Sequence, residues 1–247
     1  MSCMDLEAAV TDQASLVLSV RGEATLTVSA DSVLLSGAIA LSRASKPDAL
    51  ADASAALQRL ITDLTPLGAV ALTVGTEHNA LVWLARSATT WAEHEHNKNT
   101  GLNEPTERVT ATVNVQITVR DFDLLEALGA QLSTHQDLHV HQVSWQVDSE
   151  NPGWAQVRAA AIHAAIDKGR DYAAALGVSL VEVLQVADAG LLGGDTRPIG
   201  AGRALSATLS RGGSPPADTP SLDPEPQELS AMIDARLRAT AVTLTGN

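Results

Sequence analysis

A chain of 247 residues with 45% hydrophobic content is long enough to bury a real core, as one large domain or two small ones. Four Trp, one Tyr and one Phe leave that core to Ala, Val, Leu and Ile. Sixteen basic against 29 acidic residues give a net charge of −13, which repels phosphate backbones and anionic lipid surfaces and so excludes general nucleic-acid and membrane-surface binding.

Residues 1–14 read as a flexible N-terminus. They carry the chain's one cysteine, Cys3, so neither an intrachain disulfide nor a cysteine zinc cluster is expected. The opening MSCMDLEAAVTDQ has no basic n-region and no apolar run, so it does not read as a signal peptide. The expected location is cytoplasmic as given, and periplasmic or extracytoplasmic if a leader has been removed. No window approaches 18 uninterrupted apolar residues, so no membrane insertion is expected.

From residue 15 the chain alternates. Leu16, Leu18 and Val20 share one face, and Ala24, Leu26 and Val28 continue it past Gly22, which reads as a bend or bulge. Ala30-Asp31-Ser32 reads as a turn and Val33–Leu41 as a returning strand, giving a hairpin. Ser45-Lys46-Pro47-Asp48 then has the chemistry of a helix start. Leu50, Ala53, Leu57, Leu60 and Leu64 follow at helical spacing, up to a stop at Pro66-Leu67-Gly68.

Residues 69–92 read as strand material containing Trp83 and Trp91, and the polar run 93–107 reads as a loop. Val109 to Val119 alternates most cleanly of all. Asp121 can cap the next helix, whose stripe is Phe122, Leu125, Leu128 and Leu132. Leu138–Val147 reads as a strand with Leu138, Val140 and Gln142 on one face. His139, His141, Val143, Trp145 and Val147 lie on the other.

Asn151-Pro152-Gly153 opens the longest predicted helix, over 152–176. Its expected stripe is Ala155, Ala159, Ile162, Ile166, Ala173 and Leu176, broadened by Val157, Ala161, Ala165 and Tyr172. Gly177 stands where a helix ends. Leu180–Val186 is a short strand, and 190–226 is a mobile loop rich in Gly and Pro. Alternation from Leu229 to Ala239 predicts a closing strand, which makes 190–226 an excursion inside one domain spanning 15–247. The fold class expected is α+β: an antiparallel or mixed sheet with one long Ala-rich helix and two shorter helices packed on it.

Residues with chemistry to offer are few. Glu93-His94-Glu95-His96 could take a zinc or nickel ion, and His139 and His141 share a predicted strand face where His135 could join them as a third nitrogen ligand. A solvated loop and a solvent-facing row explain the same residues. No Ser lies in G-x-S-x-G, no phosphate-binding G-x-x-x-x-G-K-[ST] occurs, and Asp121 and Asp123 are explained by capping. No catalytic residue and no cofactor follow from the sequence. Trp145 and Trp154 read as packing residues, and Trp83 and Trp91 as candidates for an interaction surface.

Three stretches carry a family likeness. They are Val20-Arg21-Gly22-Glu23-Ala24 running into Ala30-Asp31, VTATVNVQITVRDFDLLEALG at 109–129, and AAAIHAAIDKGRDYAAALGVSLVEVLQV at 159–186. In order and spacing the chain resembles the SIMPL family, which includes bacterial periplasmic immunogenic proteins. It departs from the family pattern at Ala24 and Ala30, where the family tends to have Gly and Pro, and in its N-terminus. The resemblance implies an α+β fold, no agreed enzymatic activity, self-assembly into ring-like or channel-shaped homo-oligomers in some bacterial members, and links to stress. It leaves three functional expectations: a self-assembling interaction protein, an adaptor binding a protein partner through 190–226, and a metal-binding protein using the His clusters.

Overall fold

A computed structural model describes residues 15–97, 101–192 and 222–241. Their strands divide between two sheets, and the chain falls into two compact units. Of the described residues, one unit comprises 29–97, 101–149 and 222–227. The other comprises 15–28, 150–192 and 228–241. Residues 1–14 and 193–221, which carry the expected flexible N-terminus and most of the expected loop, lie outside the described residues.

The first unit is built on a sheet of six strands. These are β2 (Ser32–Arg43), β3 (Val70–Ala71), β4 (Leu81–Ala85), β5 (Thr89–Asn97), β6 (Leu102–Val119) and β7 (Leu138–Gln146). The order is β3-β4-β6-β2-β7, with β5 also on β6. Pairing is antiparallel apart from the parallel β3–β4 contact, so the sheet is mixed. The β2–β6 register sets Val33, Leu35 and Ile39 opposite Val119, Ile117 and Val113. Directly opposed residues share a face, so the two period-two patterns merge into one apolar layer.

Two helices cover that layer, α1 (Lys46–Leu64) and α2 (Leu125–Thr134). The Ser45 hydroxyl accepts the Asp48 amide at 3.3 Å, with Pro47 in the first turn, as the sequence implies. Ala49, Ala53, Ala56, Leu60 and Leu64 are buried, while Leu50 and Leu57 are half-buried. The helix is thus turned slightly from its leucine stripe, so that alanines sit at the closest approach to the sheet. Asp121 caps a short 3-10 turn, Phe122–Leu124, that leads into α2.

Two expectations fail in this unit. Residues 93–97 and 102–107 form a paired arm in place of a loop: β5 pairs with β6 from Thr89 opposite Thr112 out to Asn97 opposite Leu102. Strand β2 reaches only Val109, so residues 102–108 pair with β5 alone. Without a covered face there is no apolar alternation to read. On β7, a bulge skips His141, with Val140 opposite Gly37 and Gln142 opposite Ser36. The extra residue flips the alternation, so Leu138, Val143 and Trp145 all pack on the same core, and His139 and His141 do not share the face of Trp145.

The second unit has the sheet order β1-β9-β8, with β1 (Leu16–Val28), β8 (Leu180–Asp188) and β9 (Gln227–Ala239). The expected β1–β2 hairpin does not form, because β1 pairs with β9 and β2 with β6 and β7. The intervening Asp31 is bound elsewhere: its amide donates to the Gln146 carbonyl and its carboxylate accepts the Asp148 amide, both at 2.8 Å. Helix α3 (Gly153–Ala175) packs on this sheet with the stripe Gly153, Val157, Ala161, Ala165, Gly169 and Ala173. Ala155 and Ala159, expected on the buried face, are exposed. Alanines surround the helix, so periodicity cannot pick its inner face. Gly153 and Gly169, sixteen residues apart and so in step with a four-residue repeat, mark it.

Gly22 explains the choice. Strand β1 continues through it. A Cβ there would overlap the Ala161 carbonyl oxygen and the Ala165 amide nitrogen. Strand and helix backbones meet at this point, and only hydrogen fits between them.

Candidate interaction surface

Strand β8 has β9 on one side and no described strand on the other. Helix α3 lies over β1 and β9. Gly22 meets its backbone, and a Cβ on Gly169 would overlap the tip of Leu237 on β9. Val183 and Val186 stand opposite Leu237 and Ala235, so they point to the helix side of the sheet. Their β9 partners are buried, yet Val183 and Val186 are 48% and 43% exposed. The helix sits too far across the sheet to cover them.

Two bulges roughen the same strand. Val181 and Leu184 have no partner in the β8–β9 register and are 60% and 40% exposed. Four aliphatic side chains on a nine-residue edge strand therefore face solvent. An uncovered apolar edge presents unpaired backbone donors and acceptors together with surface that gains by leaving water.

On the opposite face of this sheet, polar side chains tie the strands together. Arg21 on β1 holds Asp234 on β9 with two hydrogen bonds, Nε to Oδ1 at 2.7 Å and Nη2 to Oδ2 at 3.1 Å. The Gly190 amide donates to Asp234 Oδ2 at 2.8 Å. The Arg21 hydrogen bond above all holds the Asp234 carboxyl below its ordinary range, against the opposing effect of burial, with the Gly190 amide and the Arg21 charge adding to it. Asp234 thereby fixes the chain where it leaves β8. Glu182 and Arg238 form a second cross-strand ion pair at 2.9 Å.

The sequence candidates lie apart from this edge or from one another. Trp83 is half-buried against the six-stranded core, and Trp91 on β5 is 50% exposed. At the base of the arm, Glu93 is held in its charged form by hydrogen bonds from Ser42 and Thr110 and by the nearby Arg108, so the arm is pinned to β2. Trp145 meets Phe122 edge-on at 5.4 Å, and the Arg158 guanidinium lies 5.8 Å from the Trp154 ring centre.

The histidines correct the metal reading. His94 and His96 sit on the arm, with His94 Nδ1 3.2 Å from the Ala92 carbonyl and His96 Nδ1 3.2 Å from the Asn103 side-chain oxygen. His135 caps α2, its Nε2 3.1 Å from an Asp63 carboxylate oxygen, near enough for ion pairing but out of line for a hydrogen bond. His139 and His141 are exposed on β7, where the bulge at His141 breaks their shared face. Among the described residues, no three His, Cys, Asp or Glu side chains come together as a metal site.

Sequence reasoning missed β8 as a surface. Its aliphatic run looks like a buried strand, and only the position of α3 reveals that it is not covered. Among the described residues, no helix is long and apolar enough to cross a membrane.

Comparison with known families agrees with this α+β architecture. Residues 18–237 match the family described as SIMPL, protein of unknown function (DUF541). No curated protein matches the chain. The match begins inside β1, ends inside β9 and takes in all three helices, so the chain belongs to the SIMPL family.

Proposed function

We propose that this SIMPL-family chain works without catalysis, as an interaction protein that associates with copies of itself. The observation that carries the reading is β8, an edge strand with four uncovered aliphatic side chains. Monomeric proteins blunt such edges with lysine, proline or a covering loop. Here the described part of β8 has neither lysine nor proline, although its two bulges do blunt it in part. Light scattering or mass photometry on the full chain tests the reading directly. A mass above the monomer is expected at micromolar concentration, and a strict monomer would sink it. The adaptor alternative rests on residues 190–226, of which 193–221 lie outside the described residues, and no observation here favours it over self-association.

A further inference from the structure

The two edges of the three-stranded sheet differ, and the difference bears on how copies would meet. This step rests on the self-association reading above. Edge strand β1 runs beneath α3, and the Lys168 ammonium donates to the Arg21 carbonyl at 2.7 Å. A lysine held on a backbone carbonyl occupies one acceptor of β1 and discourages strand addition near it. No described residue protects β8 in that way. Among the described residues β8 is the less guarded of the two edges, which favours β8 pairing with its own equivalent over a chain of copies joined β1 to β8.

We infer that two copies associate through β8, antiparallel about a two-fold axis, to make one six-stranded sheet with an α3 helix toward each outer edge. Such a contact is self-complementary and closed, so it stops at the dimer. The bare side chains fit it. Val181, Val183, Leu184 and Val186 leave apolar surface of roughly 300 Å² on each copy, the size of the largest patch on a typical monomer. Strand pairing covers the flanks of these side chains, which stand off the sheet, so part of that surface leaves water on each copy and the hydrogen-bonded backbone edges supply the rest of the contact. Local charge permits it despite the overall −13. Glu182 and Asp188 on β8 are balanced by Arg236 and Arg238 on β9.

Sedimentation velocity of the full chain, wild type and Val183→Lys/Val186→Lys, tests the contact. The expected result is a wild-type dimer whose Kd rises at least about tenfold in the variant, with an unchanged circular dichroism spectrum. A second variant keeps the test decisive if the lysines disturb folding. Leu184→Cys in a Cys3→Ser background places one thiol near the axis and is expected to oxidise to a covalent dimer. A wild-type monomer overturns both this contact and the self-association reading. A dimer that survives the lysines and does not cross-link at residue 184 overturns the contact alone. Larger assemblies that β8 lysines dissolve, and that Val17→Lys on β1 dissolves equally, overturn the closed pairing in favour of β1 joined to β8.

Discussion

The two sheets solve the same problem by opposite means. The six-stranded sheet fills the space beneath its helices with large side chains: Ile39, Leu60, Leu64, Leu81 and Leu128 are all fully buried. The three-stranded sheet removes the space. Ala161 and Ala165 on α3 meet Gly22 on β1, and the second core is correspondingly small, with Ala165, Ala173, Ala235 and Ala239 among its members. Filled packing spreads a helix's cover over several strands. Close packing seats the helix on one line and leaves most of the far strand bare, and β8, beyond Leu180, is that strand.

Substitutions can break this contrast at its sharpest point. Gly22→Ala is expected to have the largest effect, a loss of about 3 kcal/mol or more, because the added carbon meets helix backbone that cannot rotate away. Urea unfolding measures it, and a variant as stable as wild type would deny the backbone contact. Leu60→Ala in the filled core is expected to cost about 2–4 kcal/mol by leaving a cavity among Leu64, Leu81 and their neighbours. Gly169→Ala sharpens the comparison within α3. Its added carbon meets only the flexible end of Leu237, and the helix gains propensity of about 1 kcal/mol, so a net loss near 1 kcal/mol is expected. Equal losses for Gly22→Ala and Gly169→Ala in the same titration would mean that backbone proximity is not what sets the cost.

The smallest effect belongs to the polar face. Because the folded Asp234 carboxyl lies below its unfolded range, its contribution is present at neutral pH and is lost as pH falls through the folded value. Asp234→Asn is expected to lower the melting temperature slightly at neutral pH, with the gap closing in acid. The half-exposed Arg21 partner keeps that effect small. A gap that widens in acid would contradict the assigned direction.

Much of the architecture was legible where local chemistry and burial agree. Ser45, Pro47 and Gly68 mark the bounds of α1, and Gly177, in the left-handed conformation at φ 69°, ends the long helix. Strands β6 and β9 announce themselves because one face of each is covered and the other is not. The arm at 93–97 and 102–107 was illegible for the converse reason, since both of its faces meet water. His141 was misplaced because a bulge is a property of the strand pair and leaves no mark in a single strand. Of the candidate surface, Trp91 was legible as an aromatic near polar sequence, while β8 was not.

By itself the sequence determined the class of fold, the helices and their ends, the principal strands and the likeness to SIMPL, because each rests on residues close together in the chain or on their order. Partnership was decided only in three dimensions. Whether β1 would pair with β2 or β9, which side of an alanine-rich helix would turn inward, and which aliphatic strand would stay uncovered all depend on contacts between segments far apart in the chain. Local spacing carries no record of those contacts. The position of α3, fixed by the missing side chain at Gly22, settled the last of them.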